Sequence, residues 1–184
     1  MSDDLQVLAD DCAAEARTFL TTMTEVASGS EPAAALPMTL LAVSQVLLMG
    51  SRLGAVQDVV PVERFESDPG PDADVDPLRT ALGNLFEGID DYAHVVDPLL
   101  DVEIARSSVS DDVAEIALAL SHGLRHYDAG RPVEALWWWQ FSYLSTWGDS
   151  GARALRAVLC LLGHVRLDAD DEVAFEAEFD ALHP

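Results

Sequence analysis

Apolar residues recur at spacings of three and four along almost the whole chain, and that period is the signature of amphipathic helices. Leu5, Leu8, Cys12, Ala16, Phe19, Met23 and Val26 form one stripe from about Asp3 to Ala27. Asp3 and Asp4 suit the positive end of that helix, and Gly29 ends it. A second helix is predicted from about Pro37 to Gly54. Leu40, Leu41, Val43, Val46, Leu47, Leu48 and Met49 surround it almost completely, the pattern of a helix central in a bundle.

A third helix opens at Asp76-Pro77 and its stripe runs through Leu78, Leu82, Leu85, Ile89, Tyr92, Val96 and Leu99. A fourth carries Val113, Ile116, Leu120, Leu124 and Tyr127. Ala129-Gly130-Arg131-Pro132 then reads as a stop, a tight turn and a restart. A fifth helix is predicted from Pro132 to Trp147, stopping at Gly148, and a sixth from Asp149 or Ser150 to Gly163. A short last helix is predicted from about Asp170 to Leu182. No segment shows the alternation of a half-buried strand. The expected fold is therefore all-α, a single domain over residues 1–184 built as an antiparallel bundle of about six to seven helices. Residues 58–76 hold Pro61, Pro69, Gly70 and Pro71 amid an acidic run. They are expected to form a flexible loop between an N-terminal hairpin (3–57) and a C-terminal helical block (77–182).

Charge limits the partners. Ten basic residues, all arginine, face 33 acidic ones, a formal net charge of −23. Such a chain repels phosphate backbones and anionic membrane surfaces, so neither direct nucleic-acid binding nor membrane binding is expected. The acidity reads as a soluble surface, which a halophilic origin would also produce. The first residues lack a basic segment followed by an apolar run, so no signal peptide is expected and the location is read as cytoplasmic. Cys12 and Cys160 both fall on apolar faces and are read as buried free thiols.

All four tryptophans lie in one segment, Trp137 to Trp147. Wound at about 100° per residue, it gathers Leu136, Trp137, Gln140, Phe141, Tyr143, Leu144 and Trp147 on one face, which is expected to be core. The opposite face carries Trp138, Ser142 and Ser145, with Trp139 at its margin. Either another helix packs there, or Trp138 and Trp139, with Arg131, Ser142 and Ser145, line a groove for a protein or peptide. Gln140 on the apolar face requires a hydrogen-bond partner.

A second candidate is a metal site from His122 and His126, four apart on one helix, with a carboxylate such as Glu115. Neither Glu-x-x-His nor His-Glu-x-x-His is present to support it. There is no nucleophile elbow, Walker loop or dinucleotide fingerprint, and without lysine there is no Schiff-base chemistry. No cofactor is expected.

The pair Ile116–Tyr127 and Gly130–Ala135 resembles a tetratricopeptide helix hairpin, with no second copy at the repeat spacing. The segment from His126 to Asp149, which includes AGRPVEALWWWQFSYLSTWGD, resembles the signature of a family of short, acidic, all-helical actinobacterial proteins of unknown function. The likeness covers about Asp111 to Leu162 and is weaker over Leu78 to Pro98. It implies a cytoplasmic bacterial protein and brings no catalytic residue, cofactor or activity with it. From the residues, the expected role is a non-catalytic interaction or regulatory module with an unknown protein or peptide partner, itself a possible homodimer. The alternative is a metal-binding bundle or enzyme built on His122 and His126. Mimicry of nucleic acid by the acidic surface is a third reading.

Overall fold

The computed structural model describes residues 3–61, 70–97, 99 and 103–167. Helix α1 spans Asp3–Ala27 and α2 spans Pro32–Ala55. They pack as a hairpin through Ala9, Cys12, Ala16, Phe19 and Met23 on one side and Ala42, Val43, Val46, Met49 and Leu53 on the other, all buried. Helix α3 is short, Asp76–Leu85. Helix α4 spans Val109–Asp128, α5 spans Pro132–Ser142, and α6 spans Gly148–Leu167. Both α1 and α6 pack on α4, and α6 also packs on α2.

The mainly helical class is as expected, but the count is lower. With α5 and α6 taken as one rod, the described residues hold five helices. No break occurs at Gly148. Residues Tyr143–Trp147 form a π-turn, in which the Gly148 N–H donates to the Tyr143 carbonyl five residues back, and the helix continues. A Cβ at position 148 would collide with that same carbonyl. The glycine that reads as a helix stop is what lets the backbone close the wide turn. The last predicted helix, about Asp170 to Leu182, lies outside the described residues.

The third predicted helix is corrected more strongly. Helix α3 ends at Leu85, and the chain turns through Gly88. It then forms an antiparallel hairpin, β1 (Asp91–Val95) with β2 (Ile104–Ser108), in which Tyr92 faces Ser107 and His94 faces Ala105. Tyr92 and Val96 therefore do not belong to a helical stripe. A lone hairpin is marginal in water, so this one depends on what it packs against. Ser108, its last residue, caps α4 by accepting from the Asp111 N–H (3.1 Å).

Helix α2 is not enclosed on all sides as its composition suggests. Its inner face is core, while Leu41 and Leu48 point outward. Cys12 is buried, and desolvation pushes its thiol up to about 12, leaving it a poor nucleophile. Cys160, by contrast, is exposed.

Candidate functional site

The aromatic segment forms α5 and the π-turn, and each tryptophan has its own surroundings. Trp139 is fully buried and donates its indole N–H to the Leu120 carbonyl on α4 (3.2 Å). This contact needs Gly123, because a Cβ there would lie inside the indole. Trp138 is half-buried, donates to the Ala119 carbonyl (3.0 Å) and stacks on His122 (ring centroids 3.9 Å apart). Trp147 is buried and donates to Ser142 Oγ (3.1 Å). Trp137 stacks nearly parallel to Phe141 (5.8 Å, 12°).

The residues expected to line one groove are thus divided. Trp139 and Ser142 are interior, Trp138 is occupied by α4, and the exposed Ser145 hydroxyl bonds back to the Phe141 carbonyl (2.8 Å). Arg131 sits in the α4–α5 turn, where its N–H donates to the His126 carbonyl (2.9 Å). The face expected to be core is instead partly open, with Phe141 and Leu144 exposed. The reason is the close approach at Gly123, which rolls α5 so that Trp139 rather than Phe141 points at α4.

The opening lies between α5 and the chain leaving α2. Asp58, Val59, Val60 and Pro61 face Trp137, Gln140, Phe141 and Leu144 across a groove of 360 Å³. Gln140 builds it. Its Oε1 accepts from the Val59 N–H (2.8 Å), and its Nε2 donates to the Leu53 carbonyl (2.8 Å) and the Gln57 carbonyl (3.3 Å). The Leu53 carbonyl belongs to the last turn of α2, where acceptors lack an intrahelical partner. One buried amide therefore caps α2 and fixes the strap that follows, the partner that its apolar face required. Gln140→Leu keeps the bulk and removes all three bonds. It is expected to cost about 2 kcal/mol, and to raise amide exchange at Val59 far more than in α1.

The expected metal set does not assemble. His122 and His126 are close (5.3 Å between rings), but Glu115 accepts from the Ser150 hydroxyl. Among the described residues no group of three His, Cys, Asp or Glu side chains could hold a metal ion. His122 is sandwiched between Trp138 and Asp72, whose Oδ1 lies 3.3 Å from its Nδ1.

A second polar centre went unread in the sequence. Asp112, in the first turn of α4, is 2% exposed and carries the hairpin and α6 together. It accepts from the Tyr92 hydroxyl, from Ser107 Oγ (3.2 Å) and from Arg153 of α6 (2.8 Å). Arg153, 20% exposed, also pairs with Asp149 and donates to Ser150 Oγ (3.2 Å). Desolvation raises the Asp112 pKa, and the donors from Tyr92, Arg153 and Ser107 oppose it only in part. Burial, with the Asp112 carboxylate beside it, raises the Tyr92 phenol as well. Asp112 lies four residues before Ile116 on the apolar stripe of α4, and a carboxylate at such a position was the available signal.

Helices α1 to α6 with one small hairpin define a mainly α-helical fold. The fold is similar to that of protein BF1032 from Bacteroides fragilis, known from a crystal structure, with a TM-score of 0.66. The likeness covers 86% of this chain and 92% of that one at 16% identity. Residues 3–164 match DUF5063, a domain of unknown function, and the chain belongs to that family. No curated protein matches it.

Proposed function

We propose that this protein is a non-catalytic interaction module whose contact site is the groove between the α2 strap and α5. The observation that carries the reading is exposed apolar surface gathered round one depression. Phe141, Leu144 and Val60 are 53, 66 and 77% exposed, and Trp137 stacks beside them. Aromatic anchors beside a preformed depression are the usual core of a binding hot spot. The strap is held by Gln140, so the groove is formed before any partner arrives, which reduces the ordering cost of binding. Its rim carries Asp58, and the chain is strongly acidic. The expected ligand is therefore a short segment with two apolar anchors and basic flanks. This replaces the Trp138–Trp139 face, which α4 already covers.

Selection of a randomised peptide library on the wild-type protein tests the proposal. Peptides with paired apolar residues and flanking arginine or lysine should be enriched. Their binding should quench or shift tryptophan emission and weaken by about tenfold or more in Phe141→Ala/Leu144→Asp. Absence of enrichment, or binding indifferent to those substitutions, would refute it.

A further inference from the structure

We propose that the outer face of α2 is the seam of an antiparallel homodimer, a surface separate from the groove. Glu31, Ala34, Met38, Leu41, Gln45, Leu48, Arg52 and Ala55 follow one another at spacings of three and four without a slip. That is the a/d rhythm of a helix that meets another helix along its length. In this fold the seam faces outward. Leu41 and Leu48 are 55 and 57% exposed, and Met38, Gln45, Arg52 and Ala55 are exposed as well. The inner positions Val43, Val46, Met49 and Leu53 are already in the core, so the seam is additional to what folding needs.

Charge selects the occupant. Residues 32–57 contain no carboxylate, although the chain has 33 of them. The single charge there is Arg52, which makes no ion pair with any described residue. In a chain of net charge −23 almost any other approach of two copies is repulsive. An antiparallel pair about a two-fold axis near Val43 matches the seam to itself. Met38 then meets Leu48 of the second copy, Leu41 meets Gln45, and the small Ala34 leaves room for Arg52. Arg52 arrives at the cleft between α1 and α2 lined by Glu25, Glu31, Ala34 and Met38, where it has two carboxylates to meet. Antiparallel alignment also sets each helix dipole against the opposite one. The seam is about 36 Å long and one helix wide, which is at the small end for a specific interface. A dissociation constant on the order of 10 μM is expected.

Sedimentation equilibrium of the full chain from about 1 to 200 μM reads the result. The expected outcome is a reversible shift from the 19.8 kDa chain mass to twice that value. Leu41→Asp/Leu48→Asp should remain monomeric throughout with an unchanged helical spectrum, because both side chains are exposed. Arg52→Glu should weaken the dimer by about tenfold, and Arg52→Glu/Glu31→Arg should restore it. A monomer at every concentration overturns the proposal, as does a dimer that survives the two aspartates. A charge swap that fails to rescue overturns the antiparallel register. Helix α2 is also long and apolar enough to cross a membrane. Co-sedimentation of a monomer with phosphatidylcholine vesicles, lost in Leu41→Asp/Leu48→Asp, would assign the face to lipid and overturn the dimer.

Discussion

Gly123→Ala is expected to destabilise the protein by about 2–4 kcal/mol, a net figure with two opposed parts. In an exposed helix the same substitution stabilises by about 1 kcal/mol, because alanine is the better helix former. Here the new methyl would occupy the space of the Trp139 indole. The ring must leave a site where it is fully buried and donates to the Leu120 carbonyl. Displacing a buried tryptophan costs about 3–5 kcal/mol, so the collision wins and the sign reverses. Urea unfolding followed by circular dichroism measures the effect. The mechanism predicts strong coupling: in a Trp139→Leu background Gly123→Ala should become neutral or mildly stabilising. If the two changes simply add, the close approach is not the cause.

Asp112→Ala is expected to cost about 3 kcal/mol, since it strands the Tyr92 hydroxyl and part of the Arg153 guanidinium in one step. The loss should not be uniform. Hairpin β1–β2 has Tyr92 and Ser107 tied to this carboxylate, so proteolysis between residues 91 and 108 should accelerate more than cleavage in α1. Asp112→Asn should be milder, because it retains an acceptor and the side-chain volume. The pH dependence separates the two ideas of what Asp112 contributes. Burial raises its pKa above the ordinary 3.8, so the folded protein holds that proton to higher pH than the unfolded chain. The contribution is complete below the ordinary carboxylate pKa and is lost as pH rises through the folded value. Wild-type stability should therefore rise as pH falls from neutral toward the ordinary carboxylate range and this proton is taken up. Asp112→Asn should show a shallower rise, leaving the part due to general relief of acidic repulsion. Equal slopes would mean that Asp112 is ionised throughout that range.

The sequence was informative wherever a helix buries an apolar stripe. Helix α1 begins and ends close to its expected limits and α4 stops where expected, because a single face of each meets the core and Gly29 and Gly130 mark the ends. It misled at the hairpin. Tyr92, Val96 and Leu99 happen to continue the spacing of Leu78, Leu82 and Leu85. The half-buried positions of the strands are Tyr92, His94, Ala105 and Ser107, a mostly polar set. These strands bury hydroxyls against Asp112, so the hydrophobic alternation that identifies a strand is missing. The candidate site was legible in composition and wrong in phase. The aromatic cluster marks the region, and Gln140 was correctly expected to be bonded. The face it opens depends on Gly123, a residue on another helix that no winding of α5 alone reveals. Helix α2 shows the same limit from the other side, since an apolar composition does not distinguish a helix enclosed by its own fold from one with a second face turned outward.

The π-turn at Tyr143–Trp147 works as a length buffer between two halves of one rod. The wide turn takes up one extra residue of backbone after the tryptophan run, so α6 keeps the phase it would have on a regular helix one residue shorter. Removing one residue from the regular turns of α5 would instead turn α6 by about 100°. Arg153 would swing away from Asp112, and Ala154, Val158 and Leu162 would leave the core together. A one-residue deletion among the exposed Leu144, Ser145 and Thr146 should therefore be tolerated far better than one within α5.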